Sequence, residues 1–129
     1  MIDLMSATQE GVYGPLKAAV SLAAVHDHVK QGTQPPFVQL GSIDSSNEGT
    51  KHEQRELISF EVHTIYRGAD RRELLAIMHE VRQLDGVVPE VDGVSYSAIE
   101  FVNQVASNAG SDGVTYAGIS TFEIYAEPA

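Results

Sequence analysis

Residues 55–84 read as a strand followed at once by a helix, and this restricts the chain to folds in which helices pack on a sheet. Ile58, Phe60 and Val62 alternate with Ser59, Glu61 and His63, the period of a strand with one buried face. Beyond Ala69, Asp70 is placed to accept from first-turn amides and Glu73, three residues on, to reach back. Leu74, Ile77, Met78 and Val81 then recur at helical spacing, Leu75 and Leu84 widen the stripe, and Gly86 is placed to end it. Two elements with one apolar face each are buried by stacking in layers.

The flanking sequence extends this reading. Leu4, Met5, Val12, Leu16, Ala19 and Val20 recur at roughly helical spacing, so an N-terminal helix is expected, kinked or restarted near Pro15, with residues 16–20 its firmest part. Pro35-Pro36 forbids helix and forces extended or turn geometry before a short strand, Phe37-Val38-Gln39-Leu40-Gly41. Residues 42–54 are polar, with no apolar side chain after Ile43, and are expected to form a long exposed loop that is mobile in the free subunit. A turn at Asp92-Gly93, a strand over 94–106 and a strand over 114–126 complete the chain, with Phe122 and Ile124 on the core face of Phe60 and Val62. The expected class is α+β: a mostly antiparallel sheet with the N-terminal and central (70–84) helices packed on one face. The 129 residues suit a single domain spanning 1–129, and the chain has neither internal repeats nor low-complexity tracts.

Composition excludes several kinds of chemistry. The chain has no cysteine, which removes disulfides, thiol nucleophiles and thiolate zinc sites. Eighteen acidic residues against eight basic ones give a net charge of −10, opposing attachment to phosphate backbones or anionic lipid. There is no apolar run of about eighteen residues and no basic-then-apolar leader, so a cytosolic chain with no membrane association is expected.

The candidate metal ligands are His26 and His28 in His26-Asp27-His28. In an extended segment these two point one way and Asp27 the other, so a third ligand has to come from elsewhere; edge-strand histidines are the ordinary reading. His52, His63 and His79 are scattered singly over a loop, a strand and a helix. No Gly-x-Ser-x-Gly element, P-loop or dinucleotide fingerprint occurs, and among Glu53, Glu56, Glu61, Glu100 and Glu123 no pair stands out as acid and base. Residues alone therefore give an acidic α+β chain with no catalytic signature and no cofactor.

At Val25-His26-Asp27-His28-Val29-Lys30-Gln31-Gly32-Thr33-Gln34-Pro35-Pro36-Phe37-Val38-Gln39-Leu40-Gly41 the chain resembles the tail-completion proteins of siphophages and gene transfer agents. In that family a helix leads to a valine, aromatic, aspartate step, a proline turn, and a proline-aromatic-valine strand ending in glycine. His26 stands where the family often has tyrosine, and Lys30 where it often has proline. The likeness continues through Ile58-Ser59-Phe60-Glu61-Val62-His63-Thr64-Ile65-Tyr66-Arg67-Gly68 and helix 71–84, and it closes with Asp112-Gly113-Val114-Thr115-Tyr116-Ala117-Gly118-Ile119-Ser120-Thr121-Phe122-Glu123-Ile124, an Asp-Gly turn feeding the last strand.

The resemblance implies a structural virion protein rather than an enzyme: a homo-oligomeric ring of six copies that caps the tail tube, terminates tail polymerisation and joins the tail to the head. Its implied partners are further copies of itself, the major tail tube protein and a head-neck connector protein, with double-stranded DNA passing through the lumen without specific binding. Its implied place is the tail-neck junction of the virion, after assembly in the bacterial host cytoplasm. The polar loop, with Asp44, Ser45, Ser46, Asn47, Glu48, Lys51 and His52, is the expected contact with the tube or neck. Two other readings compete: a small enzyme or ligand-binding domain using His26, Asp27 and His28, or another neck protein such as a head-completion factor.

Overall fold

The computed structural model describes all residues, Met1–Ala129. In chain order it contains α1 (Leu4–Ala19), β1 (Ala24–His26), β2 (Phe37–Asn47), β3 (Glu56–Arg67) and α2 (Arg72–Val81), the last continued by a 3-10 turn, Arg82–Leu84. Then come β4 (Val94–Tyr96), β5 (Glu100–Ala106) and β6 (Thr115–Pro128). The six strands form one sheet in the order β1-β2-β3-β6-β4, with β5 also paired to β6. Only β1 and β2 run parallel; every other pair is antiparallel.

The α+β class and the helix-on-sheet arrangement are as the sequence implies. The centre is the twelve-pair ladder of β3 with β6, from Glu56 opposite Ala126 to Arg67 opposite Thr115. Phe60 and Phe122 sit opposite each other and stack with ring centroids 5.5 Å apart, while Phe101 meets Phe122 edge-on at 5.8 Å. Ile58, Phe60, Val62, Phe122 and Ile124 join Leu4, Val12 and Leu16 of α1 and Leu74, Ile77, Met78 and Val81 of α2 in one cluster of 19 buried residues. Each such side chain contributes roughly 1.5–3 kcal/mol by leaving water. Gly118 lets α2 come close, because a Cβ there would lie 2.4 Å from Met78 Sδ.

Four local expectations are corrected. First, α1 runs unbroken through Pro15. The proline removes one backbone bond near the helix end, and burial of Leu4, Thr8, Val12 and Leu16 against the sheet outweighs that loss. Second, residues 42–47 are strand: Ile43, Asp44, Ser45, Ser46 and Asn47 pair with Phe60, Ser59, Ile58, Leu57 and Glu56. These residues lack apolar alternation because alternation reports burial, not pairing, and all but half-buried Ile43 in this stretch are exposed. Third, the strand expected over 94–106 is two strands. Between them Ser97 N still donates to Tyr125 O of β6 at 3.0 Å, but Ile99, fully buried, turns to the other side, donating to Val87 O at 2.8 Å and accepting from Gly86 N at 2.7 Å. Fourth, Asp70 does accept from an early amide, Arg72 N at 2.7 Å, but Glu73 does not reach back; it accepts from the Tyr66 hydroxyl at 2.5 Å. Gly86 ends the helical turn with φ +86° as expected.

Candidate interaction surfaces

Alternation gives the sheet two unlike faces. The helices cover the even-numbered side of β3; its odd-numbered side carries neither helix. On that outer face the register aligns Asp44, Ser59, Glu123 and Glu100 across four strands, and the next pairs bring Glu61 beside Thr121 and Asn103. Further along, Gln39, His63, Ile119 and Val105 line up, then Phe37, Ile65 and Ala117. The outer face is thus acidic towards the β2–β3 turn and apolar at the opposite end, where Ile119 is 38% and Val105 61% exposed. His63 lies over Gly41, where a Cβ would come within 2.4 Å of its Nε2, and pairs with Glu61 Oε1 at 3.0 Å.

The far side of α2 is a second surface. Arg72, Leu75, His79 and Arg82 are exposed and follow one helical stripe, with Leu75 48% exposed. The acidic residues around this helix are engaged inside the subunit. Glu73 takes the Tyr66 proton donor, and Asp85 accepts from Phe101 N at 3.0 Å. Glu80 accepts from Ser21 Oγ at 2.6 Å and from the Ser21 and Leu22 amides at 3.0–3.2 Å. Partial burial pushes the Glu80 carboxyl up, but the Ser21 and Leu22 donors outweigh it and hold the group below the usual glutamate range. Arg82 lies over the Phe101 ring at 4.3 Å.

The third surface is the turn joining β2 and β3. Asp44, Ser45, Ser46 and Asn47 lie on β2 and Glu48, Lys51 and His52 in the turn, all exposed. The turn carries its own bonds: Glu48 N to Arg55 O at 2.8 Å, Thr50 N to Glu53 O at 3.0 Å, and Gly49 N to Asn47 Oδ1 at 3.0 Å. Gly49 is required by close approach, since a Cβ would meet Glu53 O at 2.1 Å. Instead of an open loop, the segment is a hairpin tip, tied to the N-terminus by paired bonds between Gln54 and the Ile2 backbone at 2.9 and 3.2 Å.

His26 and His28 do not form a ligand set. His26 ends β1 with its ring edge-on to Phe37 at 6.3 Å, and no three His, Asp or Glu side chains in the structure converge with metal-ligating geometry. The outer-face gradient was missed in the sequence. Ser59, Glu61 and His63 are legible as outward-facing, but which residues stand beside them depends on register across four strands.

The comparisons bear on what surfaces of this kind serve. The family profile described as "Tail completion protein gp17" matches residues 12–127. The chain belongs to the gp17 tail completion family. Among curated proteins, none matches it in sequence. Its fold is similar to that of a chain in a solved structure titled "Virion of native gene transfer agent (GTA) particle", with a TM-score of 0.86 and 22% identity, covering 98% of this chain and 99% of that one. The family match extends from within α1 to near the end of β6, so all three surfaces lie within the tail-completion region. This member of the family is a structural tail protein.

Proposed function

We propose that this protein, acting as a single domain over 1–129, forms a ring of six copies that caps the tail tube, ends tube polymerisation and joins the tail to the head-neck connector. The observation that carries this reading is the family match over 12–127. The role requires no catalysis, only distinct surfaces on one subunit, and three are present. In a closed ring one patch of each copy meets a different patch of the next, leaving the two rims for the tube protein and the connector protein. The end of the β2–β3 hairpin, with Asp44, Ser45, Ser46 and Asn47 on β2 and Glu48, Lys51 and His52 in the turn, is the contact with the tube or neck. A net charge of −10 lets double-stranded DNA pass the lumen without adhering, over about the 8 Å that physiological salt leaves unscreened. The working place is the tail-neck junction of the virion, reached after assembly in the bacterial host cytoplasm.

Imaging particles made without the gene tests this directly. Overlong or unjoined tails beside filled heads are expected, whereas normal particles reject the reading. Replacing residues 48–55 by Asn-Gly, which closes a hairpin with a tight turn, is expected to leave the fold intact and the tails unjoined. Normal joining by that variant removes the tip from the contact.

A further inference from the structure

We infer that neighbouring subunits meet through the exposed α2 stripe of one copy and the bare outer sheet face of the next. This rests on the ring proposed above and says which two patches close it. The stripe and the outer face lie on opposite sides of a two-layer subunit, so a contact between them is heterologous and can repeat from copy to copy. Each patch has an apolar centre: Leu75, 48% exposed, on the helix, and Ile119 and Val105, 38% and 61% exposed, on the sheet. Each centre is bordered by charge of opposite sign. Arg72 and Arg82 flank Leu75, while Glu61, Glu100 and Glu123 lie beyond Ile119 along the strands.

Neither arginine of the stripe is paired with a carboxylate inside the subunit, and Arg82 keeps its charge while lying over the Phe101 ring. One histidine–carboxylate contact, His63 to Glu61 at 3.0 Å, lies inside the subunit, and no lysine or arginine is within salt-bridge distance of a carboxylate. Asp70, Glu73, Glu80 and Asp85, the acids nearest the stripe, keep their charge but are tied to Arg72 N, Tyr66, Ser21 with Leu22, and Phe101 N respectively; on the stripe itself the charged side chains are Arg72 and Arg82.

Dimensions agree. Leu75 to Arg82 spans about 10 Å along a helix, Ile119 to Glu123 about 14 Å along a strand, and an arginine side chain spans the difference. Subunits of charge −10 repel one another, and placing the cationic stripe on the acidic part of the next copy offsets that repulsion at the contact.

Because the chain has no cysteine, a cysteine pair reports the contact without background. Leu75→Cys combined with Ile119→Cys, oxidised in purified particles, is expected to give a ladder of cross-linked chains on a non-reducing gel, with each single variant remaining monomeric. A dimer from Leu75→Cys alone overturns the inference, because two stripes would then be facing each other. Absence of the ladder, in particles shown by mass spectrometry to hold several copies, also overturns it and leaves the ring standing; one copy per particle removes the ring itself. Charge exchange gives a second reading. Arg82→Glu and Glu123→Arg are each expected to lower particle titre at least about tenfold, since like charges facing across an interface are costly, and the double variant to recover it. Failure of the double variant to recover, with both singles folded by circular dichroism, counts against this pair of faces.

Discussion

The two faces of β3 come from the same twelve residues and have opposite fates. On the inner face Ile58, Phe60, Val62, Thr64 and Tyr66 are all buried, none more than 7% exposed. On the outer face Ser59, Glu61 and His63 are half-buried, and the last two meet each other at 3.0 Å. Side chains one position apart are separated by the thickness of the sheet, so one face can hold the fold while the other is left to make contacts between molecules. In a protein that works by presenting surfaces, residues on the inner face should govern stability and those on the outer face assembly.

The largest effect that divides the faces is expected at neighbouring positions of β6. Phe122→Ala removes a fully buried ring stacked on Phe60 and should cost about 3–5 kcal/mol, read as a lower urea midpoint. Glu123→Ala, next in sequence and on the outer face, should stay within about 0.5 kcal/mol. A large loss at Glu123 would mean that the outer face is packed within the subunit, and the contrast would fail. The next effect has the opposite sign. Thr64 is fully buried and its hydroxyl has no hydrogen-bond partner, so Thr64→Val, which keeps the branched shape, is expected to raise stability by about 1 kcal/mol. A decrease would show that the hydroxyl is satisfied.

The inner face was the legible one. Ile58, Phe60 and Val62, and the stripe from Leu74 to Val81, announce themselves because burial selects apolar side chains at a fixed period, and pairing Phe60 with Phe122 follows from that alone. The paired β2 residues 43–47 stayed hidden because strands beyond the helix layer need no apolar alternation. The break at Ile99 stayed hidden because the turn it pairs with, at Gly86 and Val87, is distant in sequence. The acidic row of the outer face was least legible: Asp44, Glu100 and Glu123 are 23 to 79 positions apart in the chain and become one row only through register.

A smaller effect tests how the inner face is kept covered. The Glu80 carboxylate on α2 holds the chain leaving α1 at Ser21 and Leu22, and so ties the two covering helices together. Glu80→Ala should lower stability by about 1 kcal/mol at neutral pH, the low end for bonds to a charged acceptor because the group is partly exposed. Since folding holds this carboxyl below its ordinary pKa, its contribution is full above the unfolded value and fades as pH falls through the folded one. The gap between wild type and variant in urea midpoint should therefore close on acidification. A gap that persists unchanged in acid would place the effect in packing instead of charge.

The subtlest test lies where the inner face turns polar. Tyr66 is the last inner-face residue of β3, and its hydroxyl donates to Glu73 at the start of α2. That bond, then burial, then the Glu73 charge hold the phenol protonated and raise its pKa to about 12. A group raised on folding stabilises fully below its unfolded pKa, near 10 for tyrosine, and loses the contribution as pH climbs to the folded value. The Tyr66 contribution should thus be flat below the ordinary tyrosine pKa and fall above it, while Tyr66→Phe is less stable at neutral pH and lacks this part of the alkaline fall. Ultraviolet titration of the phenolates should show Tyr66 ionising late, a signal lost in the variant. If Tyr66 ionises with an ordinary tyrosine, its bond to Glu73 is open to water. The inner face would then end at Thr64, one inward-facing position earlier on the strand.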